Sequence, residues 1–298
     1  MRIHLFFVKV PDMEMSAAMI HAPDADLTDI PPETFDRILI VLKSLRNFNL
    51  DIYKEKCIKR RIAIRIRKSG CSSAAEYGEF LTQDEKEPDN LIRVLTVHVS
   101  QFFRNPSMFL KLREEILPYF FRLEQRNREE RLVIWSVGCA GGEEPYSVAM
   151  LLEEYLVDHP FSQGVDILAT DIDTEILEAA LNGVYHEERL REVPVQARNR
   201  WFTPENGKFK LAPEIRDMVT FSRSDLYETA TFPECDLILC RNVLIYLERS
   251  HQERILKGFA DALRSGGVLV LGKAETLVGE SRRRYQTICP VERIYRVV

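Results

Sequence analysis

The sequence is short of the features that announce several protein classes. Its six cysteines (Cys57, Cys71, Cys139, Cys235, Cys240 and Cys289) include no Cys-x-x-Cys pair, and no histidine stands at ligand spacing. No zinc or other metal is therefore expected, and the thiols should be reduced, as in a cytoplasmic protein. The opening MRIHLFFVKVP breaks at Lys9 and Pro11, too soon for a signal peptide or a membrane span. No direct membrane insertion is expected. Positive charge is not in excess either. The chain has 41 Lys+Arg against 46 Asp+Glu, a net charge of -5, which argues against general nucleic-acid binding.

What is there is ordinary for a soluble globular protein: 45% hydrophobic and 29% charged residues in a chain of 298. That length holds one large domain, or a large one and a small one, and nothing in it demands more than a monomer. The charge is unevenly spread. Residues 54–68 carry Lys54, Lys56, Lys59, Arg60, Arg61, Arg65, Arg67 and Lys68 against one glutamate, so the other residues hold about -12. This basic face reads either as a solvated surface or as a match for an acidic partner.

The stretch LVIWSVGCAGGEEPYSVAM, residues 132–150, organises the rest. Its apolar opening has the pattern of a strand buried on both faces. Gly138 to Gly142 break the strand, and a helix restarts with Pro145 in its first turn. Strand, glycine turn and helix start build the ligand crevice of an open α/β sheet, although a plain tight turn before a helix has the same outline. Glu143 and Glu144 oppose a phosphate there and suit a cationic, hydroxyl-rich ligand such as a sulfonium nucleoside. Asp171 ends a second strand, where a ribose diol is normally held. It lies 33 residues after Gly138, longer than the spacing of about 20 in the dinucleotide fingerprint. Asp173 reads as the cap of the next helix.

In chain order, residues 1–30 read as a poorly ordered leader, 31–95 as a small all-α domain and 96–131 as a linking segment. The helices are expected from Pro31, over Leu50–Arg67, from Ser73, and over Pro88–Val94; another starts at Pro106, and a charged surface connection follows at 122–131. Residues 132–298 alternate strands and helices, which implies a doubly wound α/β sheet. A small antiparallel insert is expected at about 185–215, with strands around Trp201-Phe202 and Lys208–Leu211 and a turn at Asn206-Gly207. Ser250 and Glu253 read as a capping box. Tyr285–Ile288 and Arg293–Val298 are spaced to pair as a closing hairpin, which suits class I methyltransferases better than dehydrogenases.

With GCAGGEEPYS (138–147), ATDID (169–173), CRNVLIY (240–246) and SQFFR (100–104) in this order, the chain resembles the chemotaxis receptor methyltransferases, the CheR family, over roughly residues 33–298. The resemblance implies a class I, Rossmann-like methyltransferase sheet preceded by an all-α domain. It implies methyl transfer from S-adenosylmethionine to receptor glutamates, with S-adenosylhomocysteine as product. By the same resemblance Glu144 meets the methionyl or nucleoside part beside Gly138, Asp171 takes the ribose hydroxyls, and Asp225 with Leu226 flanks the adenine. Arg241 and Asn242 sit under the sulfonium, and His98, Ser100 and Arg104 reach over the cofactor. Arg104 and Tyr246 face the acceptor as catalytic residues. His98 replaces the family's common Asn, Ser100 its frequent Thr, and Asp225 an Asn. The basic helix 54–68 is implied to help dock a receptor's cytoplasmic helical bundle, and the short turn TPENGK favours no receptor-tail tether. Two rival readings are a cofactor-binding sensor or scaffold without turnover, and an amide or amino N-methyltransferase. Asn242–Tyr246 is similar to the Asn/Asp-Pro-Pro-Tyr loop of the latter but lacks both prolines.

Overall fold

Proline at the first helical position lacks only an N–H that would have no partner there, and Pro32 opens α1 (Pro32–Arg46) in this way. In the computed structural model, which describes residues 30–46, 48, 50–96, 100–122, 131–160 and 164–298, three more helices pack against it. They are α2 (Glu55–Ser69), α3 (Ala74–Gln83) and α4 (Glu87–Leu95). Residues at helical spacing supply the core: Phe35, Ile38 and Leu42 from α1, Ile58, Ile62 and Ile66 from α2, Tyr77 and Leu81 from α3, and Leu91 from α4. Ser73 caps α3 by accepting from the Glu76 N–H. The leader expected over 1–30, apart from Ile30, lies outside the described residues, as do His98 and most of the charged connection, 123–130.

The helix expected from Leu50 starts at Glu55 instead. Tertiary pairing overrides the apolar spacing there. Tyr53 forms a bridge with Leu247, the Lys54 N–H donates to the Tyr246 carbonyl at 2.9 Å, and Ile52 O accepts from Glu248 at 2.8 Å. These bonds tie the helical bundle to a loop of the sheet domain.

After residue 100 the chain enters α5 (Pro106–Lys111), a π-helical turn (Leu112–Ile116) and α6 (Leu117–Arg122). Phe102, Phe103, Met108 and Phe109 are buried in the core of the sheet domain, not in that of the bundle. The chain then runs through β1 (Leu132–Val137), α7 (Glu143–Asp158), β2 (Val165–Asp171), α8 (Thr174–Asn182) and β3 (Val184–Tyr185). Next come α9 (Val195–Trp201), β4 (Phe202–Glu205), β5 (Lys208–Leu211), α10 (Pro213–Arg216), β6 (Val219–Arg223) and β7 (Cys235–Cys240). It ends with α11 (Arg249–Ala262), β8 (Leu263–Leu271), β9 (Tyr285–Cys289) and β10 (Ile294–Val297).

Among the described residues the main sheet has seven strands in the order β6-β2-β1-β7-β8-β10-β9, with β10 antiparallel to both neighbours. β7 is buried at all six positions, as a central parallel strand should be. The order reverses between β1 and β7, which opens a crevice at their carboxyl ends. The insert is antiparallel, with the expected Lys208–Leu211 strand at its centre and an added strand, β3. Trp201 closes α9, and β4 starts only at Phe202. The capping box does not form: α11 begins at Arg249, so Ser250 lies inside it, and Glu253 accepts from the Glu280 N–H at 2.7 Å. No described helix is long and apolar enough to cross a membrane.

Candidate functional site

The crevice is built from backbone first. Gly138 follows β1 with φ 64°, and a Cβ there would stand 2.5 Å from a methyl carbon of Val243. Only glycine fits both the left-handed backbone and this approach. The turn is fastened to the end of β2: the Cys139 N–H donates to Thr170 O at 3.0 Å, and the Ala140 N–H to Asp171 Oδ2 at 2.9 Å. Asp171 Oδ1 accepts from the Asp173 N–H at 3.1 Å, and Asp173 caps α8, as expected.

α7 then presents its two glutamates to different neighbours. Glu144 accepts from Ser136 Oγ at 2.8 Å and from Arg241 at 3.1 Å. Glu143 is buried and pairs with Arg189 at 3.3 Å, and the Ser100 hydroxyl donates to it. Burial pushes the Glu143 carboxyl above its ordinary range, against the pull of Arg189 and these hydrogen bonds.

Arg241 leaves the end of β7 almost fully buried and acts as a brace. Besides Glu144, one of its nitrogens reaches Arg104 O and Asn105 Oδ1, each at 2.7 Å. It thus locks the linking segment over the start of α7. That segment is tightly bent, with Phe103 at φ 50° and Asn105 at φ 63°, and Asn242 beside it stands at φ 62°. Such values in residues other than glycine gather where a site over-determines its backbone. The Phe103 N–H donates to Ser147 Oγ at 2.8 Å, which pins the segment to α7.

The elements braced in this way surround one cleft, whose empty space with its mouth is ≈ 1230 Å³. It brings together Ser100, Arg104, Gly138, Glu144, Asp171, Asp225, Leu226, Arg241, Asn242 and Tyr246. Of the residues singled out from the sequence, only His98 lies outside the described residues. Sequence reasoning missed Tyr53, Gln101 and Ile172, which also line the cleft. Ile172 stood inside the ATDID motif, whereas Tyr53 was absorbed into a helical pattern.

The donor set fits S-adenosylmethionine. Asp171 accepts a backbone N–H on each oxygen, which holds its carboxylate at the end of β2 on the cleft, where an acceptor suits a ribose diol. Glu144 and Asp225 are acidic, and Leu226, Ile172 and Val243 give apolar walls for a base. The bare backbone of Gly138 lets Val243 close in as one of these walls.

Strand order, crevice and donor set together define a class I S-adenosylmethionine-dependent methyltransferase. Residues 33–96 match the family described as CheR methyltransferase, all-alpha domain, and residues 98–292 match CheR methyltransferase, SAM binding domain. The chain belongs to the CheR methyltransferase family, and S-adenosylmethionine is its cofactor. A chemotaxis protein methyltransferase of Listeria monocytogenes is 35% identical over 238 residues, 80% of this chain and 88% of that protein. Chemotaxis protein methyltransferase 2 of Pseudomonas aeruginosa is 33% identical over 255 residues, covering 84% and 88%. A chemotaxis protein methyltransferase of Borreliella burgdorferi is 30% identical over 266 residues, covering 86% and 93%.

Proposed function

We propose that this chain transfers the S-adenosylmethionine methyl group to glutamate side chains of chemoreceptors, giving methyl esters. The observation that carries the reading is that Arg104 and Tyr246 line the same cleft as Glu144 and Asp171. A cation and a phenol stand there beside a cofactor site, as an anionic acceptor requires. The names of the relatives supply the receptor context.

When bound, S-adenosylmethionine supplies an electrophilic methyl group on a sulfonium. Asp171 holds the ribose hydroxyls, Glu144 the methionyl or nucleoside part beside Gly138, and Asp225 with Leu226 the adenine. Ser100 and Asn242 close the same space, and Arg241 fixes Arg104 through its backbone. A glutamate side chain is already ionised at neutral pH, so no residue need act as general base. What the chain contributes is alignment and exclusion of water; alignment alone supplies about 7–11 kcal/mol in favourable cases. Arg104 holds the acceptor carboxylate by charge-assisted hydrogen bonds, and the Tyr246 hydroxyl fixes its second oxygen.

The acceptor arrives on a helical bundle that is acidic before methylation, and α2 meets it. Lys56, Arg60, Arg67 and Lys68 are exposed on that helix. Arg61 lines a small cavity together with Tyr53 and Tyr246, so the basic helix reaches the edge of the cleft. Long-range attraction of this kind raises encounter rates and is weakened by salt.

The test is transfer of labelled methyl from S-adenosylmethionine to receptor cytoplasmic fragments from the same cell. Base-labile label on a receptor is the expected result. Cofactor binding with no labelled receptor would overturn the choice of acceptor.

A further inference from the structure

Glu275 belongs to no sequence motif singled out above. It stands four residues past the end of β8, 4% exposed. Its carboxylate gathers four backbone N–H donors from two segments. Oε2 accepts from Asn242 at 2.9 Å and from Gly272 at 2.6 Å. Oε1 accepts from Val243 at 2.9 Å and from Ile245 at 3.3 Å. Three of the four donors therefore come from the loop that carries Asn242 and Tyr246 into the cleft.

Those amides have no partner of their own in a sheet or a long helix, and a buried N–H without a partner is costly. The loop also keeps Asn242 in the left-handed region, so something outside it must hold its shape. Packing leaves no slack: a Cβ on Gly272 would lie 2.7 Å from Glu275 Oε2 and 2.8 Å from the Asn242 nitrogen. Backbone meets backbone across this single carboxylate.

We propose that Glu275 is a positioning residue for methyl transfer. It holds the Asn242–Tyr246 loop so that Tyr246 faces the acceptor. This rests on the reading of Tyr246 given above. The group has to be a carboxylate because both of its oxygens accept. In a glutamine of the same shape one of them becomes an NH2 donor facing two N–H donors, and half of the loop loses its anchor.

The experiment compares wild type with Glu275→Gln, each shown by circular dichroism to be folded. In the variant, kcat for methyl transfer to a receptor fragment should fall at least tenfold, with KM for S-adenosylmethionine within threefold of wild type. Hydrogen exchange should speed up in the peptide spanning 241–247. Placed on a Tyr246→Phe background, the same substitution should cost less than threefold, because both changes disable one element. Glu253→Gln, which alters a carboxylate bonded to a turn away from the cleft, should leave kcat within twofold of wild type. A folded Glu275→Gln with unchanged kcat, or with full multiplicative loss on the Tyr246→Phe background, overturns the proposal. So does unchanged exchange in the loop. Should wild type label no receptor fragment, the acceptor reading falls, and loop exchange still decides whether Glu275 holds the loop.

Discussion

A guanidinium and an ammonium carry the same charge, but only the first offers parallel donors that match a carboxylate. Arg104→Lys should therefore keep the fold and the charge beside the cleft while losing the fork. Methyl-transfer kcat is expected to drop roughly 10–100-fold, the value of one charged hydrogen bond, with S-adenosylhomocysteine affinity little changed by calorimetry. Residues of this kind were legible in the sequence when they sat in a local pattern. Glu144 follows a strand and a glycine turn, and Asp171 ends a strand, so each position already carries its chemistry. Glu275 was not legible, because its partners Asn242, Val243 and Ile245 lie about 30 residues earlier in the chain and are backbone groups. A side chain that serves amides elsewhere leaves no signature in its own surroundings.

α2 shows how one element divides its charges between fold and surface. Glu87 on α4 is buried at 2% side-chain exposure, and Arg65 grips both of its oxygens, at 2.5 and 2.6 Å, while Tyr77 donates to one of them. Arg65→Ala would strand that carboxylate, so a loss of about 3–5 kcal/mol in urea unfolding is expected. Replacing Lys56, Arg60, Arg67 and Lys68 by Gln should cost no more than about 0.5 kcal/mol each. Those four changes should instead slow association with an acidic receptor fragment and flatten its salt dependence, measured by stopped flow. The spacing of charges along α2 did not separate the two kinds, because only the position of Glu87 does so.

A pH test concerns the same bundle. The hydrogen bond from Arg46 holds the Asp89 carboxyl below its ordinary 3.8. A depressed carboxylate stabilises the fold above 3.8 and loses that contribution as pH falls through its folded value. Asp89→Asn should therefore cost about 1 kcal/mol or less near neutrality, given the partial exposure of the pair. The difference from wild type should vanish in acid, as a series of thermal melts would show. Elsewhere a local pattern misled outright: Ser250 and Glu253 have capping-box spacing, yet α11 starts before them and Glu253 serves a neighbouring turn.

At the scale of the whole molecule, the helical bundle meets the sheet domain at the loop that carries Tyr246. Lys54 donates twice there, from its N–H to Tyr246 O at 2.9 Å and from Nζ to Ile245 O at 2.7 Å. Its φ of -62° is the value proline imposes, and α2 begins one residue later. Lys54→Pro should accordingly leave α2 intact and remove both bonds. An expected loss in methyl-transfer rate of roughly tenfold follows from their combined worth, checked against an unchanged helical signal in circular dichroism. The doubly wound sheet, its closing hairpin and two strands of the insert were readable from alternating strands, helices and turns. The extended stretch from Leu50 to Lys54 was not, because its pairing partner lies almost 200 residues away. The same topology has a bearing on biosynthesis. β10 follows β9 in the chain but lies between it and β8, so β9 has no neighbour in the sheet until β10 exists. As the polypeptide emerges from the ribosome, β6, β2, β1, β7 and β8 can zip together in turn. β9 comes last together with its seat: only the short turn after Cys289 separates it from β10, so the two can enter the sheet as one hairpin, β10 against β8 and β9 outside it.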